Sequence, residues 1–387
     1  MDFDVIVVGG GLVGASLVLR LARAGLAVAL VEAQAPRETV DPDGWDSRIY
    51  ALSPGSVDYL NDCGGWAGVA AARVQPVDDM HIVGDDAHSA LDFSAYEAGL
   101  RELAVIVENR AVLVALWRAL AAAGVSTFAP AACAALTVGA GAAKLSLDDG
   151  RRLRAQLLVG ADGGASWVRG EAGIAVEGRP YGQTAVVANF DTALPHRAVA
   201  RQWFRRDGIL ALLPLPGNRV SMVWSTRAAH AEELMALPPA ELAAQVEAAS
   251  GGALGALAVI TPAAAFPLRL QRAREMVKPR IALVGDAAHN VHPLAGQGVN
   301  LGFRDARELA DVLAARGACR DCGDYWLLRR YERARREDIA AMQFTTDALQ
   351  RLFNNESAAL ARLRNAGLGL TDRAGGLKNF LIRHAVG

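Results

Sequence analysis

Residues 4 to 32 constrain the fold more than any other stretch. Asp4-Val-Ile-Val-Val8 is a short β-branched run, Gly9-Gly-Gly11-Leu-Val-Gly14 follows it, and an apolar helical pattern through Leu17, Leu21 and Ala24 stops at Gly25. A second strand, Ala27 to Val31, ends in Glu32, 18 positions after Gly14. Strand, glycine turn, helix, strand and terminal acid together form a βαβ unit suited to a dinucleotide. Gly9 permits the tight turn, Gly11 lets a pyrophosphate approach the backbone at the positive helix N-terminus, and Gly14 lets helix and sheet pack closely. Glu32 is placed to accept hydrogen bonds from an adenosine ribose. No second GxGxxG occurs, so only one dinucleotide is held in this way.

Composition narrows the rest. A chain of 387 residues that is 52% hydrophobic excludes disorder and fibre, and its length points to two or three domains. With 40 Lys+Arg against 41 Asp+Glu there is no global field to draw nucleic acid, so a nucleic-acid partner is excluded and any anion site must be local. The start Met-Asp-Phe-Asp lacks the basic region of a secretory signal, which predicts a cytoplasmic protein. The uncharged stretches Ala119 to Ala143 and Ala248 to Leu268 are diluted by Ala and Gly and broken by Pro, so neither reads as a membrane span. Cys63, Cys133, Cys319 and Cys322 are too scattered for a disulfide framework, and Cys319-Arg-Asp-Cys322 lacks the second pair that zinc would want.

Farther along, Lys144 to Leu147 and Arg152 to Gln156 read as a hairpin, followed by a buried strand Leu157 to Ala161. Alternating residues from about Tyr181 to Val223 predict a β-rich insertion, and a helical segment covers about Ala231 to Ala248. The chain returns to a buried strand at Arg280 to Asp286, then to a helix from about Gly298 to Ala315. A long helix spans Tyr325 to Phe353. The nucleotide domain is therefore expected to be discontinuous. Its parts are 1–75, 106–180 and 276–320, with substrate-domain segments 76–105 and 181–275 and a C-terminal helical region 321–387.

Three separated segments carry a resemblance: Gly9 to Gly14 with Glu32; Gly160-Ala-Asp162-Gly163-Gly-Ala-Ser-Trp-Val-Arg169; and Gly285-Asp286-Ala-Ala-His289-Asn-Val-His292-Pro293-Leu-Ala-Gly296-Gln-Gly298-Val-Asn300-Leu-Gly302-Phe-Arg-Asp305. With Asp46-Ser-Arg48-Ile-Tyr-Ala-Leu52, the chain resembles the group A FAD-dependent aromatic hydroxylases, and within them the ubiquinone-biosynthesis hydroxylase family. The resemblance implies a para-hydroxybenzoate hydroxylase-like α/β fold: a Rossmann-like FAD-binding domain with an inserted β-sheet substrate domain and a C-terminal helical region. It also implies that Asp286 binds the ribityl chain of FAD and that Arg48 and Asp162 lie near the pyrophosphate. Asn109 stands where the wider group often has a longer polar residue.

Backbone amides from Gly296 through Gly298 and Val299 to Asn300, at a helix start, suit negative charge on the reduced flavin, and Pro293 would stiffen the turn before them. His289 and His292 are expected to be structural or substrate-facing rather than metal ligands. In the implied reaction NAD(P)H reduces FAD, and O2 supplies the atom placed on an activated aromatic ring; no residue is singled out as a base. The implied substrate is a polyprenylated phenol, with a small soluble aromatic, reduction of prenyl double bonds and a non-catalytic flavin-binding scaffold as alternatives.

Phe204, Leu210, Leu212, Leu213, Met222 and Trp224 could line the pocket or fill the core, and core is the favoured reading for any one of them. In the last helix, Arg329, Arg330, Arg333, Arg335 and Arg336 form either a solvated basic face, the favoured reading, or a dock for a biosynthetic protein complex or the inner face of a membrane.

Overall fold

A computed structural model describes residues 2–34, 39, 41, 44–84, 89–205, 207–290, 297–317 and 319–353. Its first sheet is built around parallel strands. Phe3–Val8 pairs on one side with Val28–Val31 and on the other with Arg152–Gly160; Ser126–Phe128 and Ile281–Leu283 extend the two flanks in parallel. Strands covered on both faces read as unbroken apolar runs, which is why Val5, Ile6 and Val7 need no polar alternation. Helices Leu12–Arg23 and Gln297–Ala314 pack against one another over this sheet. Gly302 makes that approach possible, since a Cβ there would stand 2.6 Å from a Val13 methyl.

The second sheet runs in the order His289–Asn290, Ala264–Ala273, Val176–Thr192, Arg219–Arg227, Gly208–Leu215, Val199–Arg205, Asp79–Val83 and Ala90–Ser94. One face is sealed. Leu210, Leu212, Met222 and Trp224 form a core with Leu234, Leu242 and Val246 from helices Ala228–Ala236 and Pro239–Ala249. Their sequence neighbours project to the opposite face, because strand side chains alternate. Leu213 on that face joins a cluster with Trp45 and Ile49. Of the six candidate pocket residues, four are thus core, and only Phe204 and Leu213 belong to the other face.

Several boundaries differ from the sequence reading. Arg152–Gly160 is one continuous strand whose first half pairs with Ala143–Leu147 and whose second half lies beside Ile281–Leu283. The β-rich insertion begins at Val176 rather than Tyr181. Its helical segment is split, because Pro238 caps a new helix that has Pro239 in its first turn. His289–Asn290 pairs with Gln271–Arg272, so the second sheet takes a strand from within residues 276–320.

The C-terminal helix spans Tyr325–Phe353 and braces the parallel sheet: Tyr331 donates to the Leu283 carbonyl at 2.8 Å, and Met276 N–H donates to Glu332 at 2.8 Å. Among the described residues no helix is long and apolar enough to cross a membrane.

Candidate cofactor site

The glycine loop forms where Phe3–Val8 ends at its C-terminal edge, between the two strands that flank it. Gly9 has φ of +106°, and a Cβ there would lie 2.4 Å from the Ala161 carbonyl oxygen. Gly14 is equally constrained, since its Cβ would sit 1.9 Å from the Gly9 oxygen. Gly11 differs: its φ is −67°, and a Cβ would meet nothing within 4 Å. The fold needs glycine at 9 and 14, whereas at 11 the glycine only leaves space above the helix. No acidic side chain occupies that helix's first turn, so its free amides and dipole suit an anion in the open space beside Gly11.

Glu32 closes the loop just beyond the strand Val28–Val31. One carboxylate oxygen accepts from Gly10 N–H at 2.6 Å and the other from Gln34 N–H at 2.9 Å, and each keeps a lone pair for a hydroxyl donor. Trp117 supports the loop from beneath, its indole N–H donating to the Gly10 carbonyl at 2.9 Å. Sequence reasoning missed this residue, which lies on helix Asn109–Ala122 far along the chain.

Asp286 stands in a short turn, Gly285–Ala287, after the strand Ile281–Leu283. It reaches solvent within a recess of dense protein, and that surrounding protein pushes its carboxyl above the usual range against the pull of His289 and Arg48. Arg48 lies 5.5 Å from the centre of the Tyr50 ring. Burial pushes the Tyr50 phenol up, Arg48 opposes that shift and Asp286 adds to it, so the three side chains share one field. Behind them Asp305 is fully buried; it accepts from Gly285 N–H at 3.0 Å, from Arg335 Nε at 2.7 Å, and pairs with His289 Nε2 at 2.6 Å. His289 is therefore structural. Arg335 is buried as well, which removes it from any solvated basic face.

Three predicted residues have polar groups engaged within the protein itself. Asp162 lies against the glycine loop, yet its carboxylate accepts from Ser166 Oγ at 2.5 Å and Val168 N–H at 3.0 Å, capping the helix Trp167–Glu171. Asn300 is buried and spends its amide on Ser53 N–H, Ser56 Oγ and the Ala51 carbonyl, which leaves its backbone as the part at the helix start. Asn109 holds the Arg48 carbonyl through its own N–H at 2.9 Å. Gly298 and Val299 occupy the first turn of Gln297–Ala314, and a Cβ on Gly298 would meet nothing within 4 Å. His292, Pro293 and Gly296 lie outside the described residues. Among the described residues no group of His, Cys, Asp and Glu is arranged to hold a metal.

Open space over Gly11, the carboxylate of Glu32 and a second, solvent-reaching carboxylate at Asp286 offer the donors and acceptors that a flavin dinucleotide requires. The FAD binding domain family matches residues 2–346. The chain is 39% identical to ubiquinone hydroxylase UbiL of Rhodospirillum rubrum, covering 99% of this chain and 89% of that protein. It is 38% identical to 3-demethoxyubiquinol 3-hydroxylase of Escherichia coli, covering 99% and 98%. The chain belongs to the ubiquinone-biosynthesis family of FAD-dependent hydroxylases.

Hydroxylases of this family are flavoprotein monooxygenases that use NAD(P)H and O2. The fold agrees with solved relatives. Pseudomonas aeruginosa PqsL, in complex with 2-aminobenzoylacetate, superposes with a TM-score of 0.77 at 27% identity over 95% of this chain and 99% of that one. The p-nitrophenol 4-monooxygenase PnpA of Pseudomonas putida has the same fold, with a TM-score of 0.79 at 19% identity over 99% of this chain and 98% of that one.

Proposed function

We propose that this hydroxylase acts on the ring of a polyprenylated phenol in ubiquinone biosynthesis. The observation that carries the reading is similarity over nearly the whole chain to two proteins named for ubiquinone-pathway hydroxylation. The second sheet supports it: Ala211, Leu213 and Val223 are half-buried apolar residues on the face away from the helix-covered core. An apolar wall suits such a ring and excludes water from the reacting centre.

Residue roles follow from the same geometry. The amides above Gly11 would hold the FAD pyrophosphate, Glu32 the adenosine ribose and Asp286 the ribityl hydroxyls, with Arg48 contributing positive charge nearby. Asp162 would serve through its backbone and the helix it caps. Amides at Gly298, Val299 and Asn300, with Gly296 and Pro293 before them, would face the negative charge of the reduced ring. Bound FAD supplies hydride acceptance from NAD(P)H and oxygen transfer to substrate.

Mass spectrometry of quinone intermediates in cells lacking the gene, with and without a rescue copy, tests the substrate. A polyprenylated phenol one oxygen short of the next intermediate is expected to accumulate and to disappear on rescue. An unchanged profile in cells without a redundant hydroxylase would move the substrate to a small soluble aromatic.

A lipid-borne substrate raises the question of where it arrives. Trp326 and Phe344 are 71% and 76% exposed, and exposed Arg330, Arg333 and Glu337 lie between them on the same side of the C-terminal helix, two cations against one anion. Aromatic and cationic residues on one face suit an anionic bilayer surface. Co-sedimentation with anionic vesicles, absent with neutral ones and lost in Trp326→Ser/Phe344→Ser, is the expected result; equal recovery of the variant would remove this contact from the reading.

A further inference from the structure

The segment that delivers Arg48 has no regular secondary structure between Gly44 and Ser47, yet it is held from outside at Gly44, Trp45 and Asp46. Arg73 donates to the carbonyls of Gly44 at 2.8 Å and Asp41 at 2.7 Å, and to Glu108 at 3.0 Å. Its guanidinium lies 4.6 Å from the centre of the Trp45 ring, which Arg219 of the second sheet approaches to 5.5 Å. The other Glu108 oxygen accepts from Asp46 N–H at 2.6 Å. Asp46 then passes the constraint on: its carboxylate accepts from Arg48 N–H and Arg110 N–H, each at 3.1 Å, and its carbonyl accepts from Asn189 Nδ2 at 2.9 Å.

Glu108 and Arg73 are both largely withdrawn from water, at 2% and 11% side-chain exposure. A buried ion pair is a poor source of net stability, because desolvation offsets most of its attraction. What it can supply is a single geometry. One planar guanidinium satisfies two loop carbonyls and a carboxylate together, which no apolar pair could do.

We propose that Arg73 and Glu108 are positioning residues for FAD binding, acting through the Gly44 to Asp46 segment to hold Arg48 at the cofactor cleft. Neither needs to touch the cofactor. Their effect is to remove, before binding, the conformational freedom that Arg48 would otherwise lose on binding. The proposal rests on the reading that Arg48 meets FAD, and the test separates the two.

The dissociation constant of FAD from the full chain is read from the rise in flavin fluorescence on dilution, with thermal unfolding measured beside it. Arg48→Met and Arg73→Met are each expected to weaken FAD about tenfold, and the double variant to stay within about twofold of Arg48→Met alone, because the two act on one contact. Arg73→Lys, which keeps the cation but not the fork, provides a milder variant should Arg73→Met fold poorly; it should weaken FAD less and show the same lack of additivity. Glu108→Gln, which keeps an acceptor for Asp46 N–H, should retain more affinity than Glu108→Ala. A lowered melting temperature with unchanged FAD affinity, or a double variant weakened by the product of the single effects, would overturn the proposal. Unchanged affinity in Arg48→Met would instead remove the Arg48 reading, and with it the route assigned to Arg73.

Discussion

His289 and Asp305 meet at 2.6 Å in the protein interior, directly behind the turn that carries Asp286. The pair fixes that turn from the helix side, since the same Asp305 oxygen also accepts from Gly285 N–H.

Asp305→Asn is expected to destabilise the protein by about 3 kcal/mol, because it removes the buried carboxylate that Arg335 and His289 share and leaves Arg335 with Asp338 alone. Burial alone would raise the Asp305 carboxyl, but His289 and Arg335 outweigh it and hold the group below the usual range. The stability it contributes is therefore present above that range and lost as pH falls through the lowered value. Urea denaturation across an acidic pH series should show a shallower loss of stability in the variant than in the parent. Parallel curves would mean that Asp305 does not carry this part of the acid sensitivity.

Gly11→Ala and Gly14→Ala should fail in different ways. At 11 the added methyl meets nothing in the protein, so unfolding should be unchanged while FAD affinity drops by about tenfold or more. At 14 it would stand 1.9 Å from a backbone oxygen, so the apoprotein itself should be destabilised. Calorimetry of both apoproteins, followed by FAD titration, separates the two effects.

Asp286→Asn carries opposite signs for folding and for binding. Surrounding protein raises this carboxyl although it reaches solvent, so a cost to stability accrues as pH rises above the usual carboxylate range and is full above the raised value. The variant apoprotein should melt higher than the parent at neutral pH, with the difference vanishing as pH falls through the usual carboxylate range. FAD affinity should fall about tenfold through loss of a charged acceptor. A variant that melts lower at neutral pH would contradict the assigned cost.

The two faces of the second sheet predict a split between stability and substrate recognition. Leu212→Ala and Met222→Ala should each cost about 2–5 kcal/mol and leave KM for the aromatic substrate unchanged in the surviving fold. Ala211→Phe should do the reverse, raising KM several-fold with a near-parental melting temperature. Steady-state kinetics and thermal melts on the three variants decide the matter.

Much of this architecture was legible because local rules and tertiary need coincide. Gly9, Gly14 and Glu32 sit within one βαβ unit, where each residue's role follows from its neighbours in sequence. Trp117, Arg73 and Glu108 gave no such signal, since a ring or guanidinium reaching a distant backbone carbonyl leaves no periodic trace. At Asp162 and Asn300 the same motif letters serve a ligand, a helix cap or a loop staple, and only the partners distinguish them. In Ile209 to Leu213 every residue is apolar, so alternation is invisible until pairing with Arg219–Arg227 assigns each side chain a face.

The chain reaches the parallel sheet on three separate occasions: through residues 3–31, then 126–160, and finally 277–283. Asp286 and the helix that packs against the glycine loop arrive only with the last of these visits. During synthesis, a nascent chain that has already completed its glycine loop still lacks the far wall of the cleft. With the cofactor roles proposed above, capture of FAD waits until most of the polypeptide has left the ribosome, and the emerging first part of the sheet depends meanwhile on whatever keeps unfinished sheets from aggregating.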